Sequence, residues 1–469
     1  MKSRFPNPAY PIGSRKNCTI AALKNGRCRD EMPVIAGRLF HWQEASAGKF
    51  LGRVGNASGT LDFEADKKTV FQNILAGKYL NVGDIVEVTL TKREGIFQSE
   101  KVRRLVPTQT DWQTLRLETA NWKRAAILSE QKWLLEKRSH LIQQIRSFFL
   151  DRGFLEIDAP TLVRYPGQEP HLEPFVTAYR ESSGRNMPLY LQTSPEFSMK
   201  KLLAAGLEKI FYLGHSFRNE PVSNLHQPEF LMLEWYRAYA DYTNLMTDCE
   251  ELLRCLADFL YQERKIFFQN EILDVSLPFE RLTVKNALEK IAGIEYDSVR
   301  TSEAFARTAR ARGYNAVEAS WSWDDIFFEI FLNEIEPGLG KPIPTFLTEY
   351  PDSMGALAHR MKDQPEFVER FELYVAGIEL ANAFTELNDP DEQLTRFLED
   401  QAIRKKAGKE PFPIDPEFLE ALRIGMPPAA GIALGVDRLL MILLNQSSIQ
   451  NVFYFPEVFG NVKNPPQSE

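Results

Sequence analysis

Cysteine is scarce in this chain: four residues in 469, Cys18, Cys28, Cys249 and Cys255. None of their spacings is the short paired one of a zinc knuckle or a redox dithiol, so both are excluded and free thiols in a reducing compartment are expected. Long apolar runs are also missing. No stretch reaches membrane-spanning length, which excludes a helical span and a membrane partner. The opening segment "MKSRFPNPAYPIGSRK" has no apolar run before a cleavage-like site, so a cytoplasmic location is expected. No internal repeat is present, which removes solenoids and propellers from consideration. What remains is a composition of 44% hydrophobic and 26% charged residues, enough for a sizeable core in two domains or in one with an appendage.

Acidic and basic residues are unevenly spread. Residues 1–110 carry 18 Lys and Arg against 10 Asp and Glu, a surplus of eight within a chain of net charge −8, which leaves −16 for the rest. A basic appendage suits an acidic protein or a nucleic-acid backbone, but a surplus this dispersed is equally a solvated surface.

The chain reads as four regions. Residues 1–31 mix Pro, Gly, Asn and basic residues and are expected to form a flexible arm. Residues 32–107 hold short strand-like runs between Gly-containing turns, with "DIVEVTL" alternating cleanly, as in a small OB-like β-barrel. Phe40, Trp42, Phe50 and Phe97 are its possible base-stacking platforms, each more simply read as core. Residues 108–133 are a linker, and residues 134–469 form the larger domain. There Leu134, Leu141, Ile145 and Phe148 recur at helical spacing up to Gly153. "FLEIDAPTLV" reads as a strand shaped by Pro160, and "TSPEFSMKKLLAAG" as a helix with Ser194 at its N-cap. Residues 217–236 read as two strands around a loop; helical material is expected to about residue 335, then a Pro- and Gly-rich loop over 337–352.

One stretch combines aromatic and ionisable residues in an unusual way. "FRNEPVSNLHQPEFLMLEWY", Phe217 to Tyr236, packs Arg218, Glu220, His226, Glu229 and Glu234 among apolar neighbours. A core would not tolerate such groups without partners, so a binding site or a salt-bridge network is implied. In an extended strand, Phe230, Met232, Glu234 and Tyr236 share one face. A carboxylate beside a phenol on an aromatic wall suits an ammonium group, although a structural Arg or Lys would satisfy Glu234 equally well. "IELANAFTELND" repeats the pattern with Asn382, Phe384 and Glu386, and Glu386 is a second carboxylate for the same ammonium. Glu372 and Glu379, on either side of "LYVAGI", are spaced like two carboxylates flanking a buried strand; oxygen-only ligands at a phosphate site suit Mg2+. Arg438, at a Gly-punctuated helix entrance, suits phosphate or a stacked base. Together these features point to a substrate bearing an amino group and to a phosphorylated cofactor.

"GFLEIDAP", "FRNE…HQPEF" and "GIALGVDRLLM" resemble, in order, the three motifs of class II aminoacyl-tRNA synthetases. "SPEF…MKKLLAAG", "MLEWY" and "ELANAFTELND" resemble the lysyl branch. The resemblance covers residues 134–469 and implies an α+β catalytic domain with an antiparallel sheet flanked by helices, preceded by the OB-like barrel. It implies ATP and Mg2+ as cofactors and a homodimer built around residues 134–160. It also implies roles. Arg218 and Arg438 are catalytic and bind phosphates, Glu220, His226 and Phe230 hold the rest of ATP, and Glu372 and Glu379 hold magnesium. Ser194 lies with the amino-acid substrate. Glu234, Tyr236 and Glu386 take the side-chain ammonium of lysine, Glu196 and Asn382 its other end, and Phe384 and Ala433 shape the pocket. The expected chemistry is attack of a carboxylate on ATP to give an acyl-adenylate, with no covalent enzyme intermediate.

Two acceptors compete. Ala433, where lysyl-tRNA synthetases resemble "GLGIGIDR" with glycine, and the short catalytic portion resemble the ligase that attaches lysine or (R)-beta-lysine to a lysine side chain of elongation factor P. That is the leading expectation. The N-terminal barrel resembles an anticodon-binding module and favours the alternative, lysyl-tRNA synthetase, with tRNA as partner. Ala383, where both relatives carry glycine, is a departure from either pattern.

Overall fold

The computed structural model describes residues 16–46, 48–56, 58–66, 80–108, 129–318, 320–355 and 357–456. The chain divides into two compact units, residues 1–133 and 134–469.

The first unit is a closed five-stranded barrel. Around it run Val34–Ser46, Lys49–Asn56, Gly59–Asp66, Ile96–Val106 and Ile85–Arg93, the last pairing back to the first. Alternation builds its core: Val86, Val88 and Leu90 are fully buried from one face of a single strand, against Ile35, Leu39, Val54 and Val102. Gly52 lies where a Cβ would strike the Phe63 ring, so the small residue permits close packing there. Trp42 stacks on Phe50 at 5.0 Å, and with Phe97 both pack against the core. Two expectations change here. Part of the expected arm carries a helix, Ile20–Lys24, with Thr19 Oγ1 accepting from the Ala22 N–H at 3.0 Å and Ile20 buried in the barrel core. Cys18 and Cys28, expected as free thiols, are joined as a disulfide across that helix, while Cys249 and Cys255 are free. Residues 1–15 of the arm and most of the linker lie outside the described residues.

The second unit is built on an eight-stranded sheet. Its order is Glu280–Thr283, Thr345–Pro351, Phe367–Val375, Ile378–Thr385, Ala429–Gly435, Glu229–Ala238, Lys209–Phe217 and Leu155–Glu156. The two outermost pairings are parallel and the rest antiparallel. One face is covered by the helix Ser129–Leu150, whose Leu134, Leu141, Ile145 and Phe148 pack into the same core as Phe211, Leu233 and Trp235. Those four side chains are therefore buried within one chain. The helix Tyr242–Tyr261 covers the same face, started by an Asp241–Asn244 capping box. From it Asp248 accepts hydrogen bonds from Trp235 Nε1 at 3.0 Å and from Arg237 Nε at 2.7 Å. Part of the charge in the 217–237 stretch is thus a buried structural network.

Several local readings are corrected. "FLEIDAPTLV" is two two-residue strands, Leu155–Glu156 in the large sheet and Leu162–Val163 in a separate three-stranded sheet. The expected helical run holds short strands at Lys265–Phe268, Glu271–Asp274 and Glu280–Thr283, and the expected loop over 337–352 contains the strand Thr345–Pro351. Glu372 and Glu379 lie on two adjacent strands joined by a tight turn at Ala376–Gly377, both with positive φ, and do not flank one strand. Among the described residues no helix is long and apolar enough to cross a membrane.

Candidate active site

The open face of the large sheet carries a cavity of about 400 Å³. The strand Glu229–Ala238 sends Phe230, Met232, Glu234 and Tyr236 into it and Leu231, Leu233 and Trp235 into the core behind, as alternation requires. Of the other residues singled out from sequence, Ser194, Glu196, Arg218, Glu220, His226, Glu379, Asn382, Phe384, Ala433 and Arg438 also line this cavity. Glu372 and Glu386 do not line it and stand just behind its wall.

At the buried end, Glu234 is almost inaccessible. Its Oε1 accepts from Ser194 Oγ at 2.6 Å and its Oε2 from Tyr236 Oη at 3.2 Å. Burial, helped by the nearby charge of Glu196, pushes its carboxyl up to about 8, against the pull of those two hydroxyls. Burial and the same carboxylates raise the Tyr236 phenol well above its ordinary value, so it stays a donor. Ser194 also accepts from the Glu196 N–H at 3.1 Å, so it caps the helix Glu196–Ala204 from one residue further out than a standard N-cap.

Glu386 is completely buried and ion-paired with Lys200, which also donates to Glu196 Oε1 at 2.5 Å. Burial would lower the Lys200 ammonium, but Glu196 and Glu386 outweigh it and hold the group charged. Lys200 is a residue sequence reasoning missed, although its i,i+4 spacing from Glu196 was a visible clue. Gly431 backs this corner: a Cβ there would collide with Glu386 and the Tyr236 ring.

The opposite end is cationic. The Arg218 guanidinium lies 5.3 Å from the Phe230 ring, and its Nε is buried without a partner. Arg438, from the first turn of the helix Val436–Leu443, donates to the Glu379 carbonyl at 2.8 Å and to His226 Nε2 at 2.7 Å. Because guanidinium only donates, His226 accepts at Nε2 and uses Nδ1 toward Ser223 Oγ, 3.0 Å away. Burial and the charges of Arg438 and Arg218 lower its pKa and keep it neutral. The neighbouring Asp437 is structural: it accepts from Arg138 Nη1 at 2.5 Å and from the Leu231 N–H at 2.6 Å, tying helix, strand and motif together.

On the third side, Arg370 donates to Asn382 Oδ1 at 3.0 Å and to Glu372 Oε1 at 2.7 Å, while Tyr350 and Tyr374 donate to Glu372 Oε2 at 2.5 and 2.6 Å. Glu379 faces the cavity, and enclosure followed by the charge of Glu372 raises its carboxyl. Glu336 is likewise pushed up to about 7, by burial first and then by Glu379 and Glu372. Of these carboxyl groups only Glu379 lines the cavity, an oxygen donor of the kind that suits a divalent cation. Among the described residues no group of three or more His, Cys, Asp or Glu side chains could hold a metal ion on its own.

The antiparallel-centred sheet, with Arg218, Phe230 and Arg438 lining a cavity on it, has the architecture expected of the class II synthetase fold. Comparison with known proteins agrees: residues 119–458 match the family of class II tRNA synthetases for D, K and N, and the chain belongs to that family. Within it, similar proteins include lysine–tRNA ligases. That of Moorella thermoacetica is 38% identical over 392 residues, spanning 80% of this chain and 78% of its own. That of Rhizobium etli is 33% identical over 468 residues, 96% of this chain and 92% of the relative, so the likeness extends through the barrel.

Proposed function

We propose that the chain condenses lysine with ATP to give lysyl-adenylate and pyrophosphate, then passes the lysyl group to tRNA. The observation that carries the first half is the Glu234–Tyr236–Ser194 cluster at one end of a cavity whose other end holds Arg218 and Arg438. A primary ammonium and a triphosphate are the two ligands these ends would neutralise. The lysine carboxylate would lie between them, in line with the α-phosphorus. Arg218 stabilises charge developing on that phosphate, and Arg438, braced by neutral His226, takes the outer phosphates. Phe230 offers its face to adenine, with Glu220 at the rim. Magnesium, held by Glu379 with Glu372 behind it, would neutralise the phosphates. No side-chain nucleophile is required.

The tRNA acceptor rests on the relatives, which are named lysine–tRNA ligases and match this chain across both units. It replaces elongation factor P as the leading reading. One observation keeps the protein acceptor as a second reading: Ala433, opposite Glu234 and Asn382 in the sheet, puts a methyl into the amino-acid pocket. Adding ATP, magnesium and labelled lysine with total tRNA and elongation factor P in parallel separates the two. Alkali-labile label in tRNA supports the first reading; alkali-stable label in the protein, with tRNA blank, replaces it by the second.

A further inference from the structure

Arg370 stands behind the cavity wall and does not line it. Each of its three guanidinium nitrogens has a different acceptor: Nε donates to Asn382 Oδ1 at 3.0 Å, Nη1 to the Met354 carbonyl at 2.5 Å and Nη2 to Glu372 Oε1 at 2.7 Å. Its guanidinium lies 4.3 Å from the centre of the Tyr350 ring, and only 12% of the side chain is exposed. A planar fork satisfied in three directions and packed on a ring is held in one orientation. The backbone sets this up: period two puts Arg370 and Glu372 on one face of their strand, and the register of the next strand places Asn382 opposite Glu372.

That orientation decides which way an amide points. A guanidinium only donates, so the Asn382 atom facing it is the oxygen, and Nδ2 is turned away from Arg370. Asn382 lines the cavity, and among the described residues nothing accepts from its Nδ2. The amide therefore faces the cavity as a donor. Asn382 lies opposite Ala433, and Ala433 opposite Glu234, so the three form one row across neighbouring strands. Two strand spacings, roughly 10 Å, separate this donor from the carboxyl at the far end of the row, the scale of an extended lysine.

Resting on the lysine-activating reading above, we infer that Arg370 is a positioning residue for substrate recognition: it locks the Asn382 amide with its N–H2 group toward the substrate carboxylate. The arginine touches no substrate and acts through Asn382. A reversed amide would set oxygen against carboxylate, so Arg370 removes the orientation that repels the substrate. Glu372 keeps two other donors, Tyr350 and Tyr374, and does not depend on Arg370 alone.

The test uses lysine and 1,5-diaminopentane, which is lysine without its carboxylate, in calorimetric titrations of the full chain. Arg370→Met should weaken lysine by about tenfold to a hundredfold, the usual scale for losing a hydrogen bond to a charged group, and leave the diamine unchanged. Asn382→Ala should do the same. Arg370→Met added to Asn382→Ala should then change lysine binding by no more than about twofold, because the group through which it acts is already gone. A merely structural arginine would weaken both ligands equally, and its loss would add to that of Asn382; either result overturns the inference, as does unchanged lysine binding in Arg370→Met. Arg370→Lys keeps the charge beside Glu372 but has one nitrogen for three acceptors. It should weaken lysine in part, again without affecting the diamine, and serves in the same comparisons if the Met variant fails to fold. If the unaltered chain does not bind lysine at all, the parent reading falls; if it does and the two losses add, only this inference falls.

Discussion

Substrate binding at Glu234 should expel a proton. In the empty cavity the carboxyl sits at about 8 rather than 4.5, mainly because it is buried, a difference worth ~5 kcal/mol between its two protonation states. At pH 7 the neutral form of Glu234 therefore predominates. An ammonium docked against Oε1 or Oε2 favours the carboxylate and drives the pKa back down, so binding is coupled to loss of close to one proton. Calorimetric titration of lysine in two buffers of different ionisation enthalpy should give different apparent heats, with lysine as the donor of charge and buffer as the acceptor of the proton. Affinity should rise by up to about tenfold per pH unit between pH 6 and 8 and then level off. Glu234→Gln should abolish both effects and weaken lysine by several kcal/mol, with ATP binding preserved. Buffer-independent heats together with a flat affinity profile in the unaltered protein would refute the reasoning.

The other predictions address phosphate binding, buried pairs and pH. Arg218→Ala or Arg438→Ala should lower lysine-dependent pyrophosphate exchange by about 100-fold, the ~3 kcal/mol expected for one well-placed transition-state donor; near-normal exchange in both variants would remove them from the catalytic set. Arg138→Met leaves Asp437 charged and buried and should cost ~3–5 kcal/mol, seen as a lower denaturant midpoint. Because the native pKa of Glu234 lies above its unfolded value, the native state binds the proton more tightly. The group's contribution is full below pH 4.5 and is lost as pH rises through about 8. Glu336 and Asp400, each raised to about 7, act in the same sense. The ligand-free protein should therefore lose melting temperature from pH 6 to 8, and lysine should restore part of it.

Regular alternation made the site legible where strands are long. Phe230, Met232, Glu234 and Tyr236 reach the cavity because nothing interrupts period two over ten residues. The reading failed where structure is set by tertiary partners. Glu386 lies one residue beyond its strand and is held by Lys200, a residue chosen from a helix by packing. Strands of four residues around 265–283 carry too few positions to show a period. The turn at Ala376–Gly377 places Glu372 and Glu379 on adjacent strands, and the non-glycine positive φ at Ala376 gives no compositional sign of a reversal. Cys18 and Cys28 are brought together by a five-residue helix whose docking depends on Ile20.

Amino-acid-dependent pyrophosphate exchange tests the central claim most directly, because the family to which the chain belongs divides among aspartate, lysine and asparagine. Carboxylates dominate the buried end of the cavity, so it should reject aspartate and give asparagine no charge to pair with. Exchange driven by lysine, absent with aspartate and asparagine and lost in Arg218→Ala, is the result expected. Exchange with aspartate or asparagine equal to that with lysine, or none with lysine at any pH from 6 to 9, would contradict the account.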